Sequence, residues 1–534
     1  MPKLTIDGRS LEVPAGKTVL QVALDAGIDV PYFCYHPGLT IAGNCRICLV
    51  KVNGGAKPQI ACNTFVAEGM KVETDTPDIL QARAGVMEFQ LLNHPLDCPV
   101  CDKAGECILQ NHSYDHGPDQ SRLVDPKVVK PKKDLGPTVK LWEQRCIKCS
   151  RCTRFLDEVT GTGELTFTER GDHTGLEIFP GRPLDNPMSL NVVDLCPVGA
   201  LISKDFLFQA RVWFMSSTDS VCGTCAHGCN VHIDTLKDDV RRLRPRHNEA
   251  VNGWWMCDLG RVDYHWLKHP DRIREPLRRE DARVFHLPHR QALELVKLNL
   301  EHARTKWGPR SVAALGSAAM TVEELFLLRR LFVEVLGTEH VAFLAAPDGE
   351  AWTSKSGFRI SADRNPNRAG VAAVFGAAPS AEGVRELAER IESGEVKALC
   401  LFSGLPRLEP PEELLAVLSR LDFLAVWDLL EGPLTAKAHL ALPSASGFEK
   451  DGTWINETGR LQRVRPAVPA LPGAEKDALL HLLRAFGDQP PADAPRALFE
   501  ACSAVVPALR AIRFADLGQR GLALPEPETA VVQE

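Results

Sequence analysis

The chain has 534 residues, a formal charge of −7, and charged and apolar fractions of 25% and 44%. It is long enough for several domains with a sizeable core, and its mild acidity argues against nucleic acid as a partner. No apolar run reaches the roughly 18 residues that span a bilayer, and Met1–Gly8 lacks the basic-then-apolar pattern of a secretory signal, so the expectation is a cytoplasmic protein with no direct membrane span. Seventeen cysteines in a long chain of this kind point to metal binding rather than disulfides. Fifteen of them lie between Cys34 and Cys257, and only Cys400 and Cys502 follow. A cysteine-rich front is thereby set apart from a cysteine-poor back.

Residues 1–78 open with a hairpin pattern around Asp7-Gly8. An amphipathic helix over Thr18–Ala26 follows, with Val19, Val22, Ala23 and Ala26 on one face and Gly27 as its stop. Cys34, Cys45 and Cys48 sit in a loop with Gly38 and Gly43. A strand over Cys48–Val52 turns at Asn53-Gly54-Gly55 and leads to Cys62, giving the spacing C-x10-C-x2-C-x13-C. This order resembles a plant-type ferredoxin of β-grasp fold, which implies a [2Fe–2S] cluster on Cys34, Cys45, Cys48 and Cys62. The first gap is longer than the usual C-x4-C. A zinc ribbon is the alternative, but ribbons pair two close CxxC units, and Cys34 and Cys62 are solitary.

A second module covers 79–118. A helix over Ile79–Leu92 ends at Asn93-His94-Pro95. Then come Cys98, Cys101 and Cys107, in the spacing H-x3-C-x2-C-x5-C with Gly105 in the last gap. Three thiolates and an imidazole form a four-coordinate soft-ligand site. The pattern resembles a [4Fe–4S] module with one histidine and three cysteine ligands, which implies His94 as a ligand. A surface histidine beside a three-cysteine zinc is the other reading. The stretch from 111 to 138, with Lys127, Lys130, Lys132 and Lys133, reads as a polar surface connection.

Residues 139–217 carry Cys146, Cys149 and Cys152, and then Cys196-Pro197. CxxCxxC with a remote Cys-Pro is the bacterial ferredoxin ligand set. No second CxxCxxC precedes Cys196, so one [4Fe–4S] cluster is expected. Residues 218–271 carry Cys222, Cys225, Cys229 and Cys257, in the spacing C-x2-C-x3-C-x27-C. They resemble the small [4Fe–4S] domain of molybdopterin oxidoreductases, with His227 non-ligating. Zinc is the alternative in both modules.

From 272 to 485 the texture alternates between helices and apolar strands. Strands are predicted at Ser311–Gly316, Val371–Phe375, Ala398–Phe402 and Phe423–Trp427. Thr321 and Glu324 form a capping box opening a helix that Gly337 ends. The alternation predicts an α/β domain with a mainly parallel sheet, and no GxGxxG or Walker loop follows any strand. The stretch from His439 to Gln462, with Asn456 and Arg460, resembles part of the molybdopterin oxidoreductase catalytic domain in a reduced form. No molybdenum cofactor is expected. Cys400 and Cys502 read as buried, inert thiols. Residues 486–534 read as a helix, Arg496–Ile512, and a mobile tail.

The fold class is therefore multidomain α+β and α/β: a β-grasp ferredoxin, small helical or loop [4Fe–4S] domains, and a reduced molybdopterin-oxidoreductase-like α/β domain. This module order resembles the family of large iron–sulfur subunits of respiratory complex I, NADH:quinone oxidoreductase. The resemblance implies one [2Fe–2S] and three [4Fe–4S] clusters, with NADH and FMN on a partner subunit. Electrons would enter at the Cys34 cluster, pass to the Cys146 cluster and then to the His94 cluster, and leave to other iron–sulfur subunits of the peripheral arm and on to quinone. The Cys222 cluster would lie off that path. The chain would sit on the inner face of the cell membrane through the complex, whose membrane arm couples the reaction to ion translocation. An NAD-linked formate dehydrogenase or hydrogenase subunit is the first alternative. A zinc-stapled scaffold is an alternative of another class.

Overall fold

The computed structural model describes residues 1–280, 283–406, 408–510 and 512–525. The chain divides into two compact units. The first comprises Met1–Met215 with Ser354–Phe358, and the second Ser216–Thr353 with Arg359–Glu534.

In the first unit, β1 (Lys3–Ile6) and β2 (Arg9–Glu12) pair antiparallel across Asp7-Gly8. Both turn residues have positive φ, as a two-residue hairpin with Asp-Gly requires. Helix α1 (Val19–Asp25) starts at Thr18, which forms a capping box with Gln21. Strands β3 (Leu49–Val52), β4 (Gln59–Ile60) and β5 (Met70–Glu73) complete a sheet of order β2-β1-β5-β3-β4. Ile6, Val19, Leu20, Val50 and Val72 form its core, and the Cys48 and Cys62 side chains are part of it. Helix α2 (Pro77–Leu91) leads to the second cysteine group, and α3 (Ile108–His116) follows it.

That third helix lies in the stretch expected to be a surface connection. The lysines there are also not a solvated patch. Lys127 Nζ donates to the Leu91 and Leu92 carbonyls at 2.8 Å, closing the end of α2, and Lys130 Nζ donates to Thr174 O at 2.9 Å. Strands β6 (Lys132–Asp134) and β7 (Val139–Trp142) precede α4 (Arg151–Arg154), which runs into a π-helical segment, Phe155–Thr160. The hairpin β8 (Leu165–Thr168) and β9 (Gly175–Ile178), helix α5 (Asn191–Leu195) and β10 (Leu201–Ser203) finish the unit, with β10 on β7.

The second unit begins with an antiparallel sheet, β11 (Ser216–Val221), β12 (Asn230–Leu236) and β13 (Asp239–Pro245), followed by α6 (Asp258–Val262). Then come β14 (Leu277–Glu280), β15 (Arg283–His286), α7 (His289–Trp307), β16 (Val312–Ser317), α8 (Val322–Arg329) and β17 (Val341–Leu344). After the short hairpin β18 (Trp352–Thr353) and β19 (Arg359–Ile360) come α9 (Arg368–Phe375), α10 (Ala381–Glu392), β20 (Ala398–Phe402), α11 (Glu412–Val417), β21 (Phe423–Asp428), α12 (Pro433–Lys437) and β22 (Leu440–Pro443).

The main sheet has the order β15-β14-β22-β21-β20-β16-β17. Strands β22 to β17 are parallel, and β14 and β15 add an antiparallel edge. Alternate residues feed two cores. Ala314, Cys400, Phe402, Ala425 and Trp427 face one, and Leu315, Leu399, Leu401, Leu424 and Val426 face the other. That two-sided burial explains the continuous apolar strands.

Val371–Phe375, expected as a strand, is the end of α9 instead. Val371 and Val374 are buried on one helical face, and Gly376, with φ +79°, stops it. A five-residue apolar run does not by itself separate strand from buried helix. Strands β23 (Gly452–Ile455) and β24 (Arg460–Val464), then α13 (Glu475–Ala485) and α14 (Pro495–Val505), complete the unit. Beyond α14, β25 (Leu522–Ala523) pairs with β24 where a mobile tail was expected; the expectation for 526–534 lies outside the described residues.

Candidate iron–sulfur sites

The first site is a tight turn against the ferredoxin core. Arg46, between Cys45 and Cys48, has φ +61°, a left-handed conformation uncommon for a side-chain-bearing residue. Cys34, Cys45, Cys48 and Cys62 are all buried. Cys34 faces the Cys45 and Cys62 thiols, and the single Cys62 S–H is shared between Cys34 and Cys48. Those contacts hold Cys34 and Cys48 low and push their donors, Cys45 and Cys62, up. The Cys34 N–H also reaches Cys45 Sγ at 3.5 Å. Four thiols thus crowd together with backbone N–H groups directed at sulfur. Such a set becomes four thiolates only when a metal core supplies the counter-charge.

Cys146, Cys149, Cys152 and Cys196 line one small cavity, walled otherwise by Ile147, Phe167, Leu176 and Val198. Lys148 and Ser150 both adopt positive φ, +55° and +61°, and the Lys148 N–H donates to Cys146 Sγ at 3.4 Å. Burial pushes Cys149 up to about 11 and Cys152 well above the usual thiol range, while the N–H groups of Arg151 and Thr153 partly offset it. The donors, the apolar walls and the number of thiols fit a cluster with hydrogen-bonded sulfurs.

The His94 group is more open. Cys101 and Cys107 are buried and Cys98 is exposed. Cys107 precedes α3 and receives N–H groups from Gln110 and Leu109; burial still pushes it up to about 11. Burial also lowers His94 to about 4, helped by the charges of Arg145 and Lys127 and opposed by Asp97. A neutral imidazole is the ligating form. Cys101 lies directly on the chain that follows Cys196: a Cβ at Gly199 would stand 2.2 Å from Cys101 Sγ. Arg145, 1% exposed, donates to Asp97 Oδ2 from Nη2 at 2.7 Å and from Nε at 3.0 Å, and its guanidinium lies 3.5 Å from the Trp142 ring centre.

In the second unit, Cys222 and Cys229 flank the β11–β12 turn, where the Cys222 N–H donates to Cys229 O at 2.8 Å. Cys257 starts α6 and accepts from the Gly260 N–H at 3.3 Å. A Cβ at Gly260 would meet Cys222 Sγ at 2.8 Å. Cys225 accepts N–H groups from His227 and Ser361. Burial pushes Cys222 up to about 11, Cys257 up to about 12 and Cys229 well above its usual range. The His227 ring pairs with Glu457 at 3.2 Å. Cys400 and Cys502 lie fully buried in the α/β core. Among the described residues, no group of three or more His, Cys, Asp or Glu side chains is placed to hold a single metal ion.

Sequence reasoning missed the supporting residues. Arg145, Arg151 and Arg154 sit among the cysteines of the third module, yet their partners are far along the chain. Ser361 and Glu457 reach the Cys222 loop from more than a hundred residues away. Nothing local marks any of them.

Four family models match, each on one cysteine group. "2Fe-2S iron-sulfur cluster binding domain" covers residues 2–77, and "NADH-ubiquinone oxidoreductase-G iron-sulfur binding region" covers 83–122. "NADH-quinone oxidoreductase subunit 3, ferredoxin-like domain" covers 136–202, and "NADH-ubiquinone oxidoreductase NDSU1/NuoG-like, 4Fe-4S domain" covers 215–265. An NADH-quinone oxidoreductase subunit of Rickettsia felis is 40% identical over 64% of this chain and 50% of its own length. The NADH-ubiquinone oxidoreductase 75 kDa subunit of Reclinomonas americana is 40% identical over 62% of this chain and 47% of its own. A chain of an NAD+-reducing [NiFe]-hydrogenase structure is 30% identical, with a TM-score of 0.36, over 40% of this chain and 91% of that one. This chain thus spans about half the length of the curated relatives it matches. Over the matched residues it is similar to the NADH-quinone oxidoreductase subunit of Rickettsia felis and to the NADH-ubiquinone oxidoreductase 75 kDa subunit of Reclinomonas americana.

Proposed function

We propose that this chain is an electron-carrying subunit of NADH:quinone oxidoreductase, bound to an NADH- and FMN-binding subunit and to other iron–sulfur subunits at the inner face of the membrane, in a complex that couples the reaction to ion translocation. One observation carries the reading: the four matched families fall, in order, on the four cysteine groups and take in all sixteen proposed ligands. No helix among the described residues is long and apolar enough to cross a membrane, so membrane attachment falls to partners. In this reading the second unit's main sheet is a reduced molybdopterin-type domain without molybdenum.

The ligands are Cys34, Cys45, Cys48 and Cys62 for a [2Fe–2S] cluster. Three [4Fe–4S] clusters take His94, Cys98, Cys101 and Cys107; Cys146, Cys149, Cys152 and Cys196; and Cys222, Cys225, Cys229 and Cys257. When bound, such clusters supply one-electron chemistry without a substrate pocket. The chain's own groups tune that chemistry. Backbone N–H groups on the sulfurs favour the more negative, reduced state, and apolar walls such as Phe167 and Leu176 keep water out. The neutral His94 ring puts one fewer negative charge on its site than a thiolate would.

The test is anaerobic purification with iron and zinc quantitation and low-temperature EPR of the reduced protein. About fourteen irons per chain are expected, from one [2Fe–2S] and three [4Fe–4S] clusters. A colourless protein holding only zinc overturns the reading.

A further inference from the structure

Arg151 stands between two of the proposed cluster sites without a conventional counter-ion. It is 5% exposed. Its Nη2 donates to the Tyr35 carbonyl, next to Cys34, at 2.6 Å, and its Nη1 donates to the Leu195 carbonyl, next to Cys196, at 3.2 Å. Its Nε is buried with no hydrogen-bond partner. No carboxylate among the described residues bonds to it. The ionisable groups closest in charge to it are Cys149, Tyr32, Cys196 and Cys34. Arg145 shows what the alternative looks like: also buried, and only a short way back along the chain, it donates twice to one carboxylate oxygen of Asp97.

A buried guanidinium without an anion is costly, because its charge loses water and gains no partner. A fold that keeps one needs negative charge nearby, and beside Tyr32 the groups that favour the Arg151 charge are cysteines of two different ligand sets. We propose that Arg151 is a shared electrostatic and positioning residue of the Cys34 and Cys146 sites. In this role its charge is balanced by both clusters and favours adding an electron to either one. The inference rests on the cluster-binding reading above. The neighbouring Arg154 supports the positioning half of it. From the same helix, Arg154 donates to the Cys34 and Thr40 carbonyls, so α4 grips the [2Fe–2S] loop at two points. The Arg151 charge is the stronger of the two at the sites, because Arg154 is more exposed and water screens more of its charge.

The test is EPR-monitored redox titration of the full chain, with iron counted on each sample. Arg151→Met is expected to lower the midpoints of the Cys34 and Cys146 clusters together. Arg151→Lys, which keeps the charge, is expected to return most of both shifts. Unmoved midpoints in an iron-replete Arg151→Met overturn the proposal, as does an Arg151→Lys that shifts as far as Arg151→Met. Should Arg151→Met lose iron, Tyr32→Glu takes its place. The Tyr32 ring lies 6.0 Å from the guanidinium, and a carboxylate there is expected to lower both midpoints without removing the arginine; unchanged midpoints again overturn the proposal. Wild-type protein without these EPR signals points instead to failure of the cluster reading itself.

Discussion

Gly199→Ala tests the packing of the His94 site with a single methyl group. Gly199 has no positive φ, so alanine meets no backbone strain there. The obstacle is space. The new Cβ would stand 2.2 Å from Cys101 Sγ, 3.3 Å from Lys103 Cβ and 3.8 Å from Arg145 Cδ. An ordinary contact lies at roughly 3.5–4.0 Å, so Cys101 must retreat by more than about 1 Å. Lys103 and Arg145 close the other directions, and Arg145 is itself tied to Asp97 and Trp142. Overpacking of this kind costs about 1–3 kcal/mol, a cost the domain can survive. A ligand sulfur displaced that far leaves its iron. The expected result is folded protein whose iron falls from about fourteen to about ten per chain, with the EPR signal of the His94 cluster lost and the others kept. Gly85→Ala, inside α2 with nothing within 4 Å of its new Cβ, is the control. It keeps all its iron and gains about 1 kcal/mol in chemical denaturation. Full iron and an unchanged spectrum in Gly199→Ala would refute the argument that Cys101 is held against this glycine as a ligand.

His94→Cys is expected to keep its cluster and move its midpoint downward, because a thiolate adds negative charge; an unchanged EPR spectrum means His94 is not a ligand. Lys450→Met should destabilise the second unit by about 3–5 kcal/mol in chemical denaturation. It strands Glu324, now 2.6 Å from Nζ, and Glu475, at 3.7 Å, in a fully buried network, and Lys450→Met with Glu324→Gln should recover part of the loss; an exposed-lysine effect below about 0.5 kcal/mol would refute the assignment. Burial raises Glu323 to about 7, with bonds from the Thr453 N–H at 2.8 Å and its hydroxyl at 3.1 Å opposing. The folded state then keeps a proton that the unfolded state has released above about 4.5. Stability therefore falls as pH rises from about 4.5 to 7 and levels off above that. Glu323→Gln should flatten the fall by on the order of a few kcal/mol between about pH 5 and 7.5, read by urea titration at each pH, and an unaltered slope would show that Glu323 is not the group responsible.

The four cysteine groups on which the family models fall were legible because such a group is written almost entirely in local spacing. CxxCxxC needs only a short loop, and the remote member announces itself as Cys62, Cys196-Pro197 or Cys257. Capping was legible for the same reason: Thr18 with Gln21 and Thr321 with Glu324 each act over three residues. Charge was not. Lys127, Lys130 and Lys133 read as a solvated patch, yet they reach carbonyls and carboxylates up to 44 residues away. Lys450 sits in the charged run Phe448-Glu-Lys-Asp451, yet it is 3% exposed because Glu324 and Glu475 converge on it from distant helices. A long polar side chain carries no sign of whether its far end finds water or a partner; only the tertiary fold decides that.

The two kinds of information meet at α4. Spacing alone marks Cys149 and Cys152 as proposed ligands, and the same short helix places Arg151 and Arg154 one turn apart on the side that faces the Cys34 loop. The ligand motif therefore also sets where its cations go. A helix that begins inside a CxxCxxC loop presents i and i+3 positions to whatever packs against the cluster. In this chain that neighbour is the loop of another proposed cluster, contacted through the carbonyls of Cys34, Tyr35 and Thr40. Had Arg151 found a carboxylate, as Arg145 found Asp97, its field would be cancelled before reaching either site. Leaving it unpaired costs stability in the protein without clusters and returns it once both sites are filled. If Arg151 is shared as proposed, assembly of the Cys34 and Cys146 sites is linked: filling one relieves part of the cost of the cation, while filling both balances it more completely than either could alone.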